Sequence, residues 1–108
     1  AQAKLVEGPA VASSASHRLD RLTGDGWLAV GDAATALDPL SSQGISKALR
    51  AGVRAAKAIR EWLDGSAASL ESYAGAVAAE YDVYLAARNR YYAMERRWND
   101  APFWQRRI

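Results

Sequence analysis

The sequence predicts an α/β fold of short strands followed by two long helices, and three observations carry that expectation. An apolar run, Trp27, Leu28, Ala29 and Val30, stops at Gly31-Asp32, as a buried strand stops where the chain must turn. From Gly44 to Leu63 apolar residues recur at steps of four and three, which places them on one stripe of a helix. A second stripe starts at Ser69 and continues to about Trp98.

The elements follow in order. Lys4 to Leu22 mixes polar and small apolar residues around Pro9, and Ala10 to Arg18 alternates as an edge strand does. That strand leads through Thr23-Gly24-Asp25-Gly26 into the Trp27 strand, so Ser13, Ser14, Ser16 and His17 are placed to line a cavity. For His17 the plainer reading is stronger, an exposed or hydrogen-bonded histidine, because no acid, nucleophile or metal-ligand spacing stands beside it.

After the turn, Asp38-Pro39 with Ser41, Ser42, Gln43 and Gly44 reads as a loop, since proline disfavours helix in the residue before it. In the helix that follows, Ile45, Leu49, Gly52, Ala56, Ile59 and Leu63 are the expected buried stripe. Lys47, Arg50, Arg54, Lys57 and Arg60 are the expected solvated face. Gly52 on the buried side implies a close backbone neighbour, and Asp64-Gly65 ends the helix.

Ser69 is the expected N-cap of the second helix, whose stripe is Leu70, Tyr73, Val77, Tyr81, Tyr84, Leu85 and Arg88. A helix of that length must bend or lie across two layers. Its aromatic residues are explained better by packing than by base stacking. Asn99 to Pro102 breaks it, and Phe103-Trp104 anchors the chain ahead of the basic end Arg106-Arg107.

Composition bounds the function classes. The 108 residues are 50% hydrophobic, but many of these are alanines, which bury little area each and favour close helix packing. Fourteen basic against twelve acidic residues leave a net charge of +2, which does not require a nucleic-acid partner. The absence of cysteine excludes disulfides, thiolate metal sites and a cysteine nucleophile. No apolar run reaches membrane-spanning length, no secretory signal pattern opens the chain, and no metal site is expected; the expected location is the cytoplasm.

The loop before the first helix is where an electron-rich ligand would be held, because a helix start presents unpaired N–H groups and partial positive charge. Gly31-Asp32, six residues, Pro39, four residues and Gly44 together resemble the second FAD-binding motif of flavoprotein monooxygenases of the aromatic hydroxylase type. Flavin-dependent halogenases and geranylgeranyl reductases are similar too, and Asp38-Pro39 is closer to those two. The likeness covers mainly Trp27 to Ile59; the YYAMERRW and PFWQRR stretches more weakly resemble the helical end of halogenase-like flavoproteins.

The resemblance implies FAD as cofactor, with Gly31, Asp32, Pro39, Gln43, Gly44 and Ile45 in contact with it. In the family the motif's aspartate accepts a ribityl hydroxyl, which falls here to Asp32. Backbone N–H groups of Gln43, Gly44 and Ile45 would face the negative charge of reduced flavin. Leu40, Ser41 and Ser42 would face the reacting edge. Thr35 stands where hydroxylases often have histidine, and no residue of this chain is assigned as acid, base or nucleophile.

Because no GxGxxG occurs and such flavoproteins need a dinucleotide-binding unit, the chain is expected to be the C-terminal fragment of a Rossmann-like flavoprotein, partnered by a missing N-terminal portion. Its divisions would be residues 1–23, the end of a substrate-domain sheet; 24–65, the FAD-binding strand, loop and helix; and 66–108, a helical tail. The expected function is FAD-dependent oxidation of a small-molecule or carrier-bound organic substrate, by a monooxygenase or halogenase. The alternative is a helical interaction module whose basic face binds an acidic partner or nucleic acid.

Overall fold

The computed structural model describes residues 3–4 and 6–106, so Arg107 of the basic end lies outside the described residues. Four two-residue strands come first: β1 (His17–Arg18), β2 (Thr23–Gly24), β3 (Trp27–Leu28) and β4 (Thr35–Ala36). Three helices follow, α1 (Gly44–Leu63), α2 (Ser69–Met94) and the short α3 (Pro102–Gln105). Short strands before two long helices is the order that the periodicity predicts.

The strands pair differently from the expected order. β2 and β3 form an antiparallel hairpin with Thr23 opposite Leu28 and Gly24 opposite Trp27. Gly26 turns it at φ 70°. The indole of Trp27 lies over Gly24 so closely that a Cβ there would collide with the ring. β1 pairs instead with β4, His17 opposite Ala36 and Arg18 opposite Thr35. Only these last two residues of the expected Ala10–Arg18 strand join a ladder, because Thr35–Ala36 offers no longer edge.

Trp27 to Val30 is not a buried strand. It ends after Leu28, and Trp27 and Val30 are exposed while Ala29 is buried. A ribbon of two strands has neighbours on one face, so alternate side chains point away from the core. Gly31 then turns at φ 65°, a left-handed value that favours glycine, and starts a 3-10 turn, Gly31–Ala33.

The helix bounds Gly44–Leu63 match the expectation, and Gly65 at φ 101° ends the segment. The buried face is a different one. Lys47, Ala51, Ala55 and Ala58 are buried, whereas Ile45, Leu49, Gly52, Ala56, Ile59 and Leu63 are exposed. The period holds and the phase is wrong, because α2 settles on the alanine row, which lets two helices approach closely. Gly52 is not a close-approach position, for nothing lies within 4 Å of where its Cβ would stand.

α2 buries Leu70, Tyr73, Val77 and Tyr81 of the expected stripe, while Tyr84, Leu85 and Arg88 are half-buried. Ser69 is not its cap. It is the first helical residue, and its hydroxyl donates to the carbonyls of Ala58 and Ser66 at 3.0 Å each, tying the two helices together. The helix ends at Met94, before Trp98, where Glu95 becomes extended. With 26 residues against 20 in α1, α2 is longer than its neighbour by roughly 9 Å at 1.5 Å per residue. The core lies between the hairpin and the helices: Leu22, Ala29, Ala34, Ala55, Ala58, Leu70, Tyr73 and Val77. The Tyr73 hydroxyl donates to the Ala29 carbonyl at 2.9 Å; burial raises its pKa, against the pull of Arg54, so it stays a neutral donor.

Candidate functional site

The Gly31–Asp32 turn is fastened to the first turn of α1. Lys47 donates from Nζ to Asp32 Oδ1 at 3.0 Å and also to the Thr35 carbonyl. The pair is lopsided. The lysine side chain is 10% exposed and the aspartate side chain 78%, so the cation is inside and the carboxylate faces out. An ionised carboxylate has about four lone-pair sites, so Asp32 keeps acceptor capacity after serving Lys47.

The Asp38–Gln43 loop is held from inside itself and from α2. The Asp38 carboxylate accepts from Leu40 N–H at 2.9 Å, and Pro39–Ser41 forms a 3-10 turn that Ser42 closes at φ 53°. The Tyr84 hydroxyl accepts from Asp38 N–H at 2.6 Å and is hydrogen-bonded to Ser16 Oγ at 2.8 Å. Tyr92 donates to the Asp38 carboxylate from the far end of α2. The C-terminal half of α2 thus grips the loop that leads into α1.

At the helix start, Lys47 N–H is the first to reach a carbonyl four residues back, that of Gln43 at 2.9 Å. The N–H groups of Gly44, Ile45 and Ser46 stand at the open end, and no side chain caps them. Gln43 N–H is turned to Ser41 Oγ at 3.4 Å, so it is not a free donor as expected. Nothing lies within 4 Å of where a Gly44 Cβ would stand.

Of the six expected site residues, Gly31 and Gln43 border a groove of about 540 Å³ between α1 and α2. Asp32, Pro39, Gly44 and Ile45 are exposed beside it and are not walls of an enclosed cavity. Leu40 and Ser42 are exposed as well. Ser13, Ser14, Ser16 and His17 line no groove with them: Ser16 serves Tyr84, and His17 is exposed with Nδ1 3.2 Å from the Ala15 carbonyl.

Sequence reasoning missed Lys47, Tyr84 and Tyr92 as site-forming groups. Lys47 was readable in part, because it follows Gly44 by one helical turn and so shares the helix end that approaches Gly31–Asp32. The expected solvated face is corrected at Lys47 alone, which is buried; Arg50, Arg54, Lys57 and Arg60 are exposed as expected, with Arg54 paired to Glu80 at 2.9 Å and Lys57 to Glu61 at 3.7 Å. Nothing local to Tyr84 or Tyr92 points to Asp38, since 46 and 54 residues separate them.

Among the described residues, no helix is long and apolar enough to cross a membrane. No family model matches the chain, and no solved structure matches it. Curated relatives do. It is 49% identical over 51 residues to the 1H-pyrrole-2-carbonyl-[peptidyl-carrier protein] brominase of Pseudoalteromonas luteoviolacea, covering 47% of this chain and 13% of that protein. It is 36% identical over 83 residues to a Marinomonas mediterranea protein whose name reads "Putative FAD-dependent oxidoreductase LodB", covering 77% of this chain and 22% of that one. The chain therefore spans less than a quarter of the length of these relatives. Within that span the chain is similar to one protein named as a brominase and to one named as an FAD-dependent oxidoreductase.

Proposed function

We propose that this chain supplies the ribityl- and ring-facing part of an FAD site in an FAD-dependent oxidoreductase of the halogenase or monooxygenase kind. The observation that carries the reading is the Lys47–Asp32 ion pair, which sets the outward carboxylate of Asp32 beside the open first turn of α1. A flavin chain of hydroxyls needs an acceptor, and its reduced ring needs donors near N1. The donor set fits: Asp32 offers lone pairs to solvent, Gly44 and Ile45 offer N–H groups, and no Cβ at Gly44 narrows the approach.

When bound, FAD would supply the redox chemistry. This chain's residues would bind and orient it: Asp32 on a ribityl hydroxyl, Gly31 turning the backbone aside, Pro39 fixing the loop, and Gly44 and Ile45 N–H groups facing the ring. Gln43 sets the backbone ahead of them and lends the carbonyl that starts the helix. The pyrophosphate and adenosine would fall to a Rossmann-like unit elsewhere in the same protein, and residues 24–65 would be the flavin-contacting division. That remainder would also cover the exposed apolar row of α1. The brominase's name specifies a carrier-bound acyl substrate, which supports a carrier-bound or small organic substrate here.

The runner-up, a basic interaction face, is weakened by the pairing of Lys47, Arg54 and Lys57 with carboxylates. The test is Asp32→Asn in the flavoprotein that carries this chain, with apoprotein titrated by FAD and flavin fluorescence followed. Losing the charge on one acceptor should weaken FAD binding about tenfold. Unchanged affinity would remove Asp32 from the site.

A further inference from the structure

We infer that Lys47 is the positioning residue of this site: its buried ammonium holds the Asp32 carboxylate in the orientation that takes the ribityl hydroxyl. The inference rests on the proposed role of Asp32 and adds to it a cause for that residue's geometry.

Burying an ammonium is unfavourable, and a buried ion pair is weak evidence for stability, because an apolar side chain of similar size often serves the fold as well. Here the unfavourable burial falls on Lys47 alone, since Asp32 stays in solvent. A carboxylate so exposed has no need of a partner for its own sake, and without one it would turn freely about its side-chain bonds. Lys47 holds one oxygen at 3.0 Å and is itself fixed by the Thr35 carbonyl, so β4, the Gly31 turn and α1 meet at one nitrogen. Lys47 stands in the first turn of α1, so its bond keeps the held carboxylate beside the helix start. The arrangement orders an acceptor before ligand arrives, which spares the ligand that ordering.

The experiment is a cycle of Lys47→Met, Asp32→Asn and both together in the flavoprotein, reading FAD affinity from apoprotein titration and thermal midpoint from unfolding. Lys47→Met should lower FAD affinity about tenfold, as coupled groups of one hydrogen-bond network do, with a modest fall in the midpoint because the buried Thr35 carbonyl loses this donor. The double variant should be no weaker than the weaker single one. Where Lys47→Met does not fold, Lys47→Gln, neutral but able to donate to Thr35, replaces it with the same expectation. Parent-like affinity in the Lys47 variant beside a weakened Asp32→Asn overturns this inference alone. Additive losses overturn it too, since Lys47 would then act without Asp32. Unchanged affinity in Asp32→Asn defeats the ribityl assignment, and this inference falls with it.

Discussion

The two faces of α1 differ in a way that hydrophobicity alone would reverse. The inner face carries Ala51, Ala55, Ala58 and the stem of Lys47, all buried. The outer face carries Ile45, Leu49, Val53 and Leu63, which are 81%, 69%, 74% and 71% exposed. At about 25 cal/mol per Å² of apolar surface, the outer row would gain more from burial than the alanines do. The alanines are inside because they let α2 approach, with Tyr73 and Val77 packed in the same core. Close packing of these two helices decides the inner face, and the larger row is left as the surface that a covering partner would stabilise, as the proposed function requires.

The largest test of that contrast substitutes one residue on each face. Ala55→Leu forces a larger side chain between helices already in contact, and should cost about 1–3 kcal/mol. Val53→Ser on the outer face should stay within about 0.5 kcal/mol in the same 108-residue chain. Urea unfolding of residues 1–108 checks both, and equal losses would mean that the two faces are not different. Repeating Val53→Ser in the longer flavoprotein sharpens the comparison. A loss there of roughly 1–2 kcal/mol would show the row covered by the rest of the protein.

A smaller effect is expected in the C-terminal half of α2. Tyr84→Phe removes the acceptor of Asp38 N–H and the partner of Ser16, both part-buried, which should cost about 1–2 kcal/mol. The local signature matters more than the total. Amide hydrogen exchange of Asp38 to Ser42 should quicken while that of Ala51 to Ala58 stays as in the parent, because the helix pair does not depend on this hydroxyl. Unchanged protection at Asp38 would show that the loop holds itself through Pro39 and its own carboxylate.

The same contrast explains what could be read in advance. The helix Gly44–Leu63 was legible because its period and its stop at Asp64-Gly65 are local properties. The turn at Gly31 was legible because glycine is favoured at φ 65°. The phase of α1 was not, since two stripes of different size share one helix and only the partner chooses between them. Strand pairing escaped for a related reason: β1 finds β4 across the hairpin, and two-residue ladders leave no periodicity to read. At the site, spacing identified the motif residues, but the bonds to Lys47, Tyr84 and Tyr92 depend on the fold that brings them there.

The smallest effect is expected at the end of α2, where the half-buried Glu95 pairs with the exposed Arg97. The carboxylate accepts from Arg97 N–H at 2.8 Å and from the guanidinium, which also stacks on Trp98 with its carbon 4.4 Å from the ring centroid. Those bonds hold Glu95 well below the usual carboxylate range, at about 2 against 4.5. The folded value is the lower one, so any stability from the pair is present above about pH 4.5 and fades as the pH falls toward 2. The amount should be small, because the guanidinium is in solvent and a negative charge at a helix C-terminus opposes the dipole. Glu95→Gln should therefore leave the thermal midpoint at neutral pH within about 1 °C, and the difference should shrink further between about pH 5 and about pH 3. Carboxyl NMR gives the sharper reading: a Glu95 midpoint in the ordinary range would show that the Arg97 fork does not persist in solution, and that α2 ends without it.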